Sequence, residues 1–97
     1  MKREYELMVI LKPMLPEDIR KGVEGRLSKQ VEKNKGKIKS SDIWGKKHLA
    51  YPINTHEEGY YIVYKLEVEP SKVTELESEI KLINDILRYT IVREDNQ

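Results

Sequence analysis

Cysteine is absent from these 97 residues, which removes disulfides, thiolate zinc sites and thiol catalysis at once. Histidine is scarce: His48 and His56 are the only two. Neither stands in a nucleophile or metal-ligand spacing. No apolar run approaches the roughly 18 residues that a membrane-spanning helix needs. The opening Met1-Lys2-Arg3-Glu4-Tyr5-Glu6 mixes acids with bases and lacks the apolar stretch of a signal peptide. A reducing cytoplasm is the expected setting, with no membrane partner. Phosphate-loop and dinucleotide glycine patterns are also missing. The adjacent acids Glu57 and Glu58 fall in what reads as a turn, where solvation explains them. The sequence therefore points away from an enzyme and from any cofactor, metal or small-molecule substrate.

Charge of one sign is lacking overall, the net formal charge being +1, yet its distribution is uneven. Residues 1–48 hold 13 Lys or Arg against 7 Asp or Glu, and residues 49–97 hold 5 against 10. A basic surface that meets phosphate accounts for this, and so does a dipolar soluble protein.

No linker, internal repeat or low-complexity tract interrupts the chain, so residues 1–97 read as one domain with 94–97 a short polar tail. Tyr5 to Leu11 alternates as a strand, with Tyr5, Leu7, Val9 and Leu11 on one face. Pro16 suits the first turn of a helix, and Glu17 and Asp18 complement its positive end. Ile19, Val23, Leu27 and Val31 then recur every four residues as an apolar stripe, and Asn34 to Gly36 stops the helix. Lys37 to Ile53 is a long segment rich in strand formers, with Gly45 marking a bulge or bend. His56 to Gly59 reads as a turn, and Tyr60 to Val68 as the clearest strand. Pro70-Ser71 opens a second helix with Ser71 as N-cap and Val73, Leu76, Ile80 and Ile83 as its stripe. Leu87 to Arg93 closes the chain as a strand.

The order βαββαβ predicts an α+β, ferredoxin-like domain: one four-stranded antiparallel sheet with two helices on one face. Parity sends Leu7, Val9, Ile62 and Leu66 toward the helices. Met8, Ile10, Tyr61, Val63 and Lys65 are left on the open face, where a partner protein could cover the apolar ones. Ordinary strand propensity with modest exposure explains them equally. The last strand is ambiguous. Thr90 and Val92 are expected inward, which leaves Tyr89 and Arg93 available outside.

Two motifs bear on RNA. Gly59 to Tyr64 resembles the third-strand signature of RNA-recognition motifs, which stack bases on two aromatics. Here Glu58 stands where a cation belongs, and parity turns Tyr60 and Ile62 toward the helices, so that module is excluded. The second motif is Ile43-Trp44-Gly45-Lys46-Lys47-His48-Leu49-Ala50-Tyr51-Pro52-Ile53. A glycine-bent strand that presents consecutive cations can meet phosphates at fixed register. It can equally be a solvated basic edge that deters strand pairing.

The chain resembles the bacterial ribosomal small-subunit protein six family over almost its whole length. The residues that carry the likeness are Arg3 to Glu6, Trp44 to Ile53, Gly59-Tyr60-Tyr61 and Leu87-Arg88. The most specific part is the run Gly45-Lys46-Lys47 followed by Leu49-Ala50-Tyr51-Pro52-Ile53. The resemblance implies a structural component of the small ribosomal subunit. It would bind the central domain of small-subunit ribosomal RNA together with small-subunit protein eighteen. It implies RNA-side roles for Arg3, Tyr5, Lys46, Lys47 and Arg88, although Tyr5 also suits the edge of the core. His48, where many members have Arg, and Arg93 complete the RNA-binding set. Met8, Ile10, Tyr61, Val63 and Tyr89 form the expected protein-partner surface. The rival reading is a small-molecule-sensing regulatory domain on the same frame, forming a homo-oligomer with a ligand cleft.

Overall fold

A computed structural model describes residues 1–53 and 56–94, the side chains of 49–57 excepted. The chain runs β1 (Arg3–Leu11), α1 (Glu17–Lys33), β2 (Lys37–Ile53), β3 (His56–Val68), a 3₁₀ turn (Pro70–Lys72), α2 (Val73–Ile80) and β4 (Ile86–Arg93). The sheet order is β2-β3-β1-β4, and all three pairings are antiparallel. This is the ferredoxin-like arrangement that the sequence predicts.

Alternation in β1 and β3 builds one side of the core. Leu7, Val9, Leu11, Ile62, Tyr64, Leu66 and Val68 pack with Val23, Leu27 and Val31 of α1 and with Leu76 and Ile80 of α2. The α1 stripe starts one turn later than its spacing suggests, because Ile19 is 44% exposed. Pro16 is the N-cap of α1 rather than a residue of its first turn. It cannot cap through a side chain, so Glu17 and Asp18 supply the favourable charge there.

The end of α1 shows two specialised positions. Lys35 adopts φ 62°, the left-handed conformation that glycine takes without penalty. The Gly36 N–H donates to the Val31 carbonyl at 2.8 Å and the Lys35 N–H to Glu32 at 2.9 Å, which closes a Schellman turn. Buried Asn34 tightens it by donating from Nδ2 to the Gln30 carbonyl at 2.9 Å. Gly36 is needed for another reason: a Cβ there would lie 3.0 Å from the Glu67 carbonyl oxygen and 3.1 Å from Val31 and Val68.

Three further boundaries differ from the sequence reading. His56 to Gly59 is not a turn but the start of β3, where His56 pairs with Ile53 and Gly59 with Lys47. Ser71 makes no cap; it lies in the 3₁₀ turn, and α2 begins at Val73 after Lys72. Ile83 is buried but stands past the end of α2.

In β4 the inward face is opposite to the expected one. Tyr89 pairs with Val9 and Ile91 with Leu7, and both pack on the core. Thr90 and Val92 pair with Met8 and Glu6 on the open face, and Val92 is exposed. The register shift between Ile10 and Leu11 passes over Leu87, and this bulge resets the alternation.

Candidate nucleic-acid interface

Gly45 has φ 84°, and the β2–β3 register shifts between Ile43 and Gly45. This is the bulge expected there, and it inserts Trp44 as the extra residue. Past it the register is regular: Gly45 faces Tyr61, Lys46 faces Tyr60, Lys47 faces Gly59 and His48 faces Glu58. Antiparallel partners share a face, so Lys47 lies on the open side and Lys46 and His48 on the helix side. Lys46, Lys47 and His48 are all exposed.

Arg88 belongs to this end of the sheet. It faces Ile10, Ile10 faces Tyr61, and Tyr61 faces Gly45, so one row crosses all four strands, spanning roughly 14 Å at normal strand spacing. Lys46, Lys47, His48 and Arg88 are thus gathered around that row. Arg3 and Arg93 are not. Arg3 faces Val68 and Arg93 faces Tyr5, about seven and five residues, or roughly 23 and 17 Å, along the strands from the Arg88 row. Tyr5 is corrected more sharply: it is 8% exposed and belongs to the core, so its ring closes the hydrophobic interior beneath the helices.

Acids temper the basic end unevenly. Glu58 lies 3.9 Å from Lys46 and 3.7 Å from His48, whereas Lys47 has no ion-pair partner among the described residues. At the far end of the open face Lys65 bonds Glu94 at 2.7 Å and Glu6 at 3.4 Å. The hydrogen bond to Glu94, reinforced by Glu6, raises the Lys65 pKa above its ordinary value. Lys39 is likewise raised by its 2.7 Å bond to Glu4. These two lysines are engaged within the molecule.

The apolar set on the open face is placed as parity requires for Met8, Ile10, Tyr61 and Val63. Ile10 is only 8% exposed and Val63 only 5%. Each is flanked across the ladder on both sides, Ile10 by Tyr61 and Arg88, Val63 by Met8 and Asp42. Tyr89 leaves this set. It faces the helices, and its hydroxyl donates to Glu77 Oε1 at 2.7 Å. Burial, then the neighbouring Glu77 carboxylate, pushes its pKa up to about 12.

Sequence reasoning left out Trp44 as a site residue. Its ring plane lies 11° from that of Tyr61, with centroids 6.2 Å apart. Its indole N–H donates to Asp42 Oδ2 at 3.2 Å. The aromatic content was visible, but the direction of the side chain depends on the bulge. On the opposite face the Arg20 guanidinium sits 4.3 Å from the centroid of Tyr60, which ties α1 to the root of the basic segment.

Residues 4–93 match the family described as Ribosomal protein S6. This chain belongs to the ribosomal protein S6 family. It is 39% identical over 94 residues to the small ribosomal subunit protein bS6 of Caldanaerobacter subterraneus subsp. tengcongensis, covering 97% of this chain and 99% of that one. The protein of the same name from Thermoanaerobacter pseudethanolicus is 41% identical over 93 residues, covering 96% and 98%. Among solved structures, 30S ribosomal protein S6 of Thermotoga maritima superposes with a TM-score of 0.90 at 32% identity, covering 97% of this chain and 89% of that one. The C-terminal domain of the MgtC protein from Mycobacterium tuberculosis shares the fold at a TM-score of 0.66 and 13% identity, covering 97% and 89%. The S6 family is one of ribosomal structural proteins, not of enzymes, as the sequence expectation had it.

Proposed function

We propose that this protein is a structural constituent of the small ribosomal subunit, acting in the cytoplasm without catalytic chemistry. It holds the central domain of small-subunit ribosomal RNA through Lys46, Lys47, His48 and Arg88. Small-subunit protein eighteen covers the open sheet face around Met8, Ile10, Tyr61 and Val63. Arg3 and Arg93, at the other end of the sheet, make a separate backbone contact. The observation that carries the reading is the placement of the β2 cations and Arg88 toward the same end of the sheet, in a chain of the S6 family. Such cations position an RNA backbone and do not read its sequence.

Salt dependence tests this directly. Each phosphate neutralised releases counterions, so affinity falls as salt rises. Lys46→Ala with Lys47→Ala should weaken RNA binding and flatten the log-affinity against log-salt slope by roughly one to two units. Stability should move by no more than about 0.5 kcal/mol, because both side chains are exposed. A correctly folded double variant that keeps the original slope would remove these lysines from the RNA contact. Met8→Asp should instead weaken association with the protein partner and leave the slope in place.

A further inference from the structure

We infer that the exposed face of Trp44 is a stacking platform for one unpaired RNA base, with Lys47 beside it as the phosphate-side cation and Arg88 at the far end of the same row. This rests on the RNA-binding reading above and adds to it a site of a different chemistry. Trp44 is the only tryptophan, and 46% of its surface is exposed although it stands on a sheet face with apolar neighbours. Three features hold its plane fixed. The bulge at Gly45 directs the side chain to the open face. The nearly parallel ring of Tyr61 supports it at 6.2 Å, and Asp42 anchors the indole N–H. A preorientated ring loses little freedom when a base settles on it.

Charge selects a nucleic acid over a protein segment as the occupant. Lys47 shares the open face and stands two residues beyond Gly45 on the same strand, while Arg88 ends the row that Gly45 and Tyr61 begin. Of the acids on this face, Glu6 and Glu94 pair with Lys65 and Glu4 with Lys39, all away from Trp44. Asp42, beside the ring, accepts from the indole N–H at its edge and leaves the ring face open. An aromatic surface bordered by cations on a β-sheet is the arrangement by which single-stranded nucleic acids are held without sequence readout. The platform differs from the one rejected on sequence grounds. That one needed Tyr60 and Ile62, which face the helices, whereas this one uses the bulge residue of the neighbouring strand.

The single tryptophan makes the test direct. An unstructured oligoribonucleotide, short oligo(A), is titrated into the full chain at low salt. Trp44 fluorescence should be quenched saturably, and added salt should reverse the quench. Trp44→Ala should weaken binding of a labelled oligo(A), followed by anisotropy, by roughly 5- to 150-fold, with the salt slope unchanged because no charge is lost. Trp44→Phe should restore most of the affinity, and a thermal melt of each variant verifies folding. Trp44→Ala binding as tightly as the parent, while Lys46→Ala with Lys47→Ala flattens the slope, overturns the platform and leaves the RNA reading intact. If the double lysine variant keeps its slope, both fall. A Trp44 signal that responds to the partner protein and not to oligo(A) would assign the ring to the protein-facing surface and also overturn the inference.

Discussion

Among single residues, those at the centre of the α1–sheet contact are the most sensitive. Leu27 and Leu66 are each about 1% exposed, so Leu27→Ala and Leu66→Ala should each cost about 2–5 kcal/mol in urea unfolding. Tyr64 behaves differently. Its ring is buried, but its hydroxyl finds no hydrogen-bond partner among the described residues. Burial, with a smaller contribution from Glu24, raises its pKa well above the usual tyrosine range. Tyr64→Phe removes an unsatisfied oxygen and keeps the ring, so it should be neutral or stabilising by up to about 1 kcal/mol. Tyr64 and Tyr89 also set the alkaline limit. For each, the folded protein holds the phenolic proton more tightly than the unfolded chain does. Their contribution is complete below about pH 10 and is lost as pH rises further, because the unfolded state then binds fewer protons. For Tyr89 the loss runs from about pH 10 to about pH 12. Denaturant midpoints followed above pH 10 should therefore fall less steeply in Tyr89→Phe than in the parent.

At the scale of elements, legibility followed alternation and failed where a bulge interrupts it. β1 and β3 could be assigned to faces from sequence because each strand keeps parity through its length. In β4, Leu87, Tyr89 and Ile91 compete evenly with Arg88, Thr90 and Val92, and the choice is made by the tertiary pairing of Tyr89 with Val9 and Ile91 with Leu7, which leaves no residue signature. Trp44 escaped notice for the same reason, since Gly45 announced a bulge but not the direction it gives its neighbour. Tyr5 was read as serving either the RNA side or the core edge, and the pairing with Leu66 and Arg93 places it inside. Glycines show the same contrast between local and tertiary causes. Gly22 and Gly25 lie within α1, and a Cβ would meet nothing within 4 Å at either. Gly22→Ala and Gly25→Ala should each stabilise by roughly 0.5–1 kcal/mol in thermal or urea melts. Gly36→Ala should destabilise, because its Cβ meets the β3 backbone at 3.0 Å.

For the whole molecule, the uneven charge of the two sequence halves does not become two opposed surfaces. β3, from the acidic half, is threaded between β2 and β1 from the basic half. The helices keep more of the contrast. α2 carries acids and no base within Val73–Ile80, while α1 mixes both signs. Excess positive charge is thus left mainly on β2, with Arg88 on the opposite edge strand β4. Acid-to-amide changes on α2, such as Glu75→Gln, should leave the salt slope of RNA binding unaltered, whereas the β2 lysines govern it.

The unequal strand lengths give the basic segment a separate kinetic character. β1 ends at Leu11, opposite Tyr60, yet the β2–β3 ladder continues past Lys46 and Tyr60 to the Ile53–His56 pair. Lys47 and His48 therefore belong to a two-strand ribbon rooted in a four-strand sheet, and two strands alone are marginal in water. Amide hydrogens on that ribbon should exchange with solvent by local opening, at a free energy well below that of global unfolding. Those of Leu7, Val9, Ile62 and Leu66 should wait for the whole domain to open. Bound RNA should slow exchange most at Lys47, His48 and Gly59, so deuterium uptake would register occupancy of the interface residue by residue.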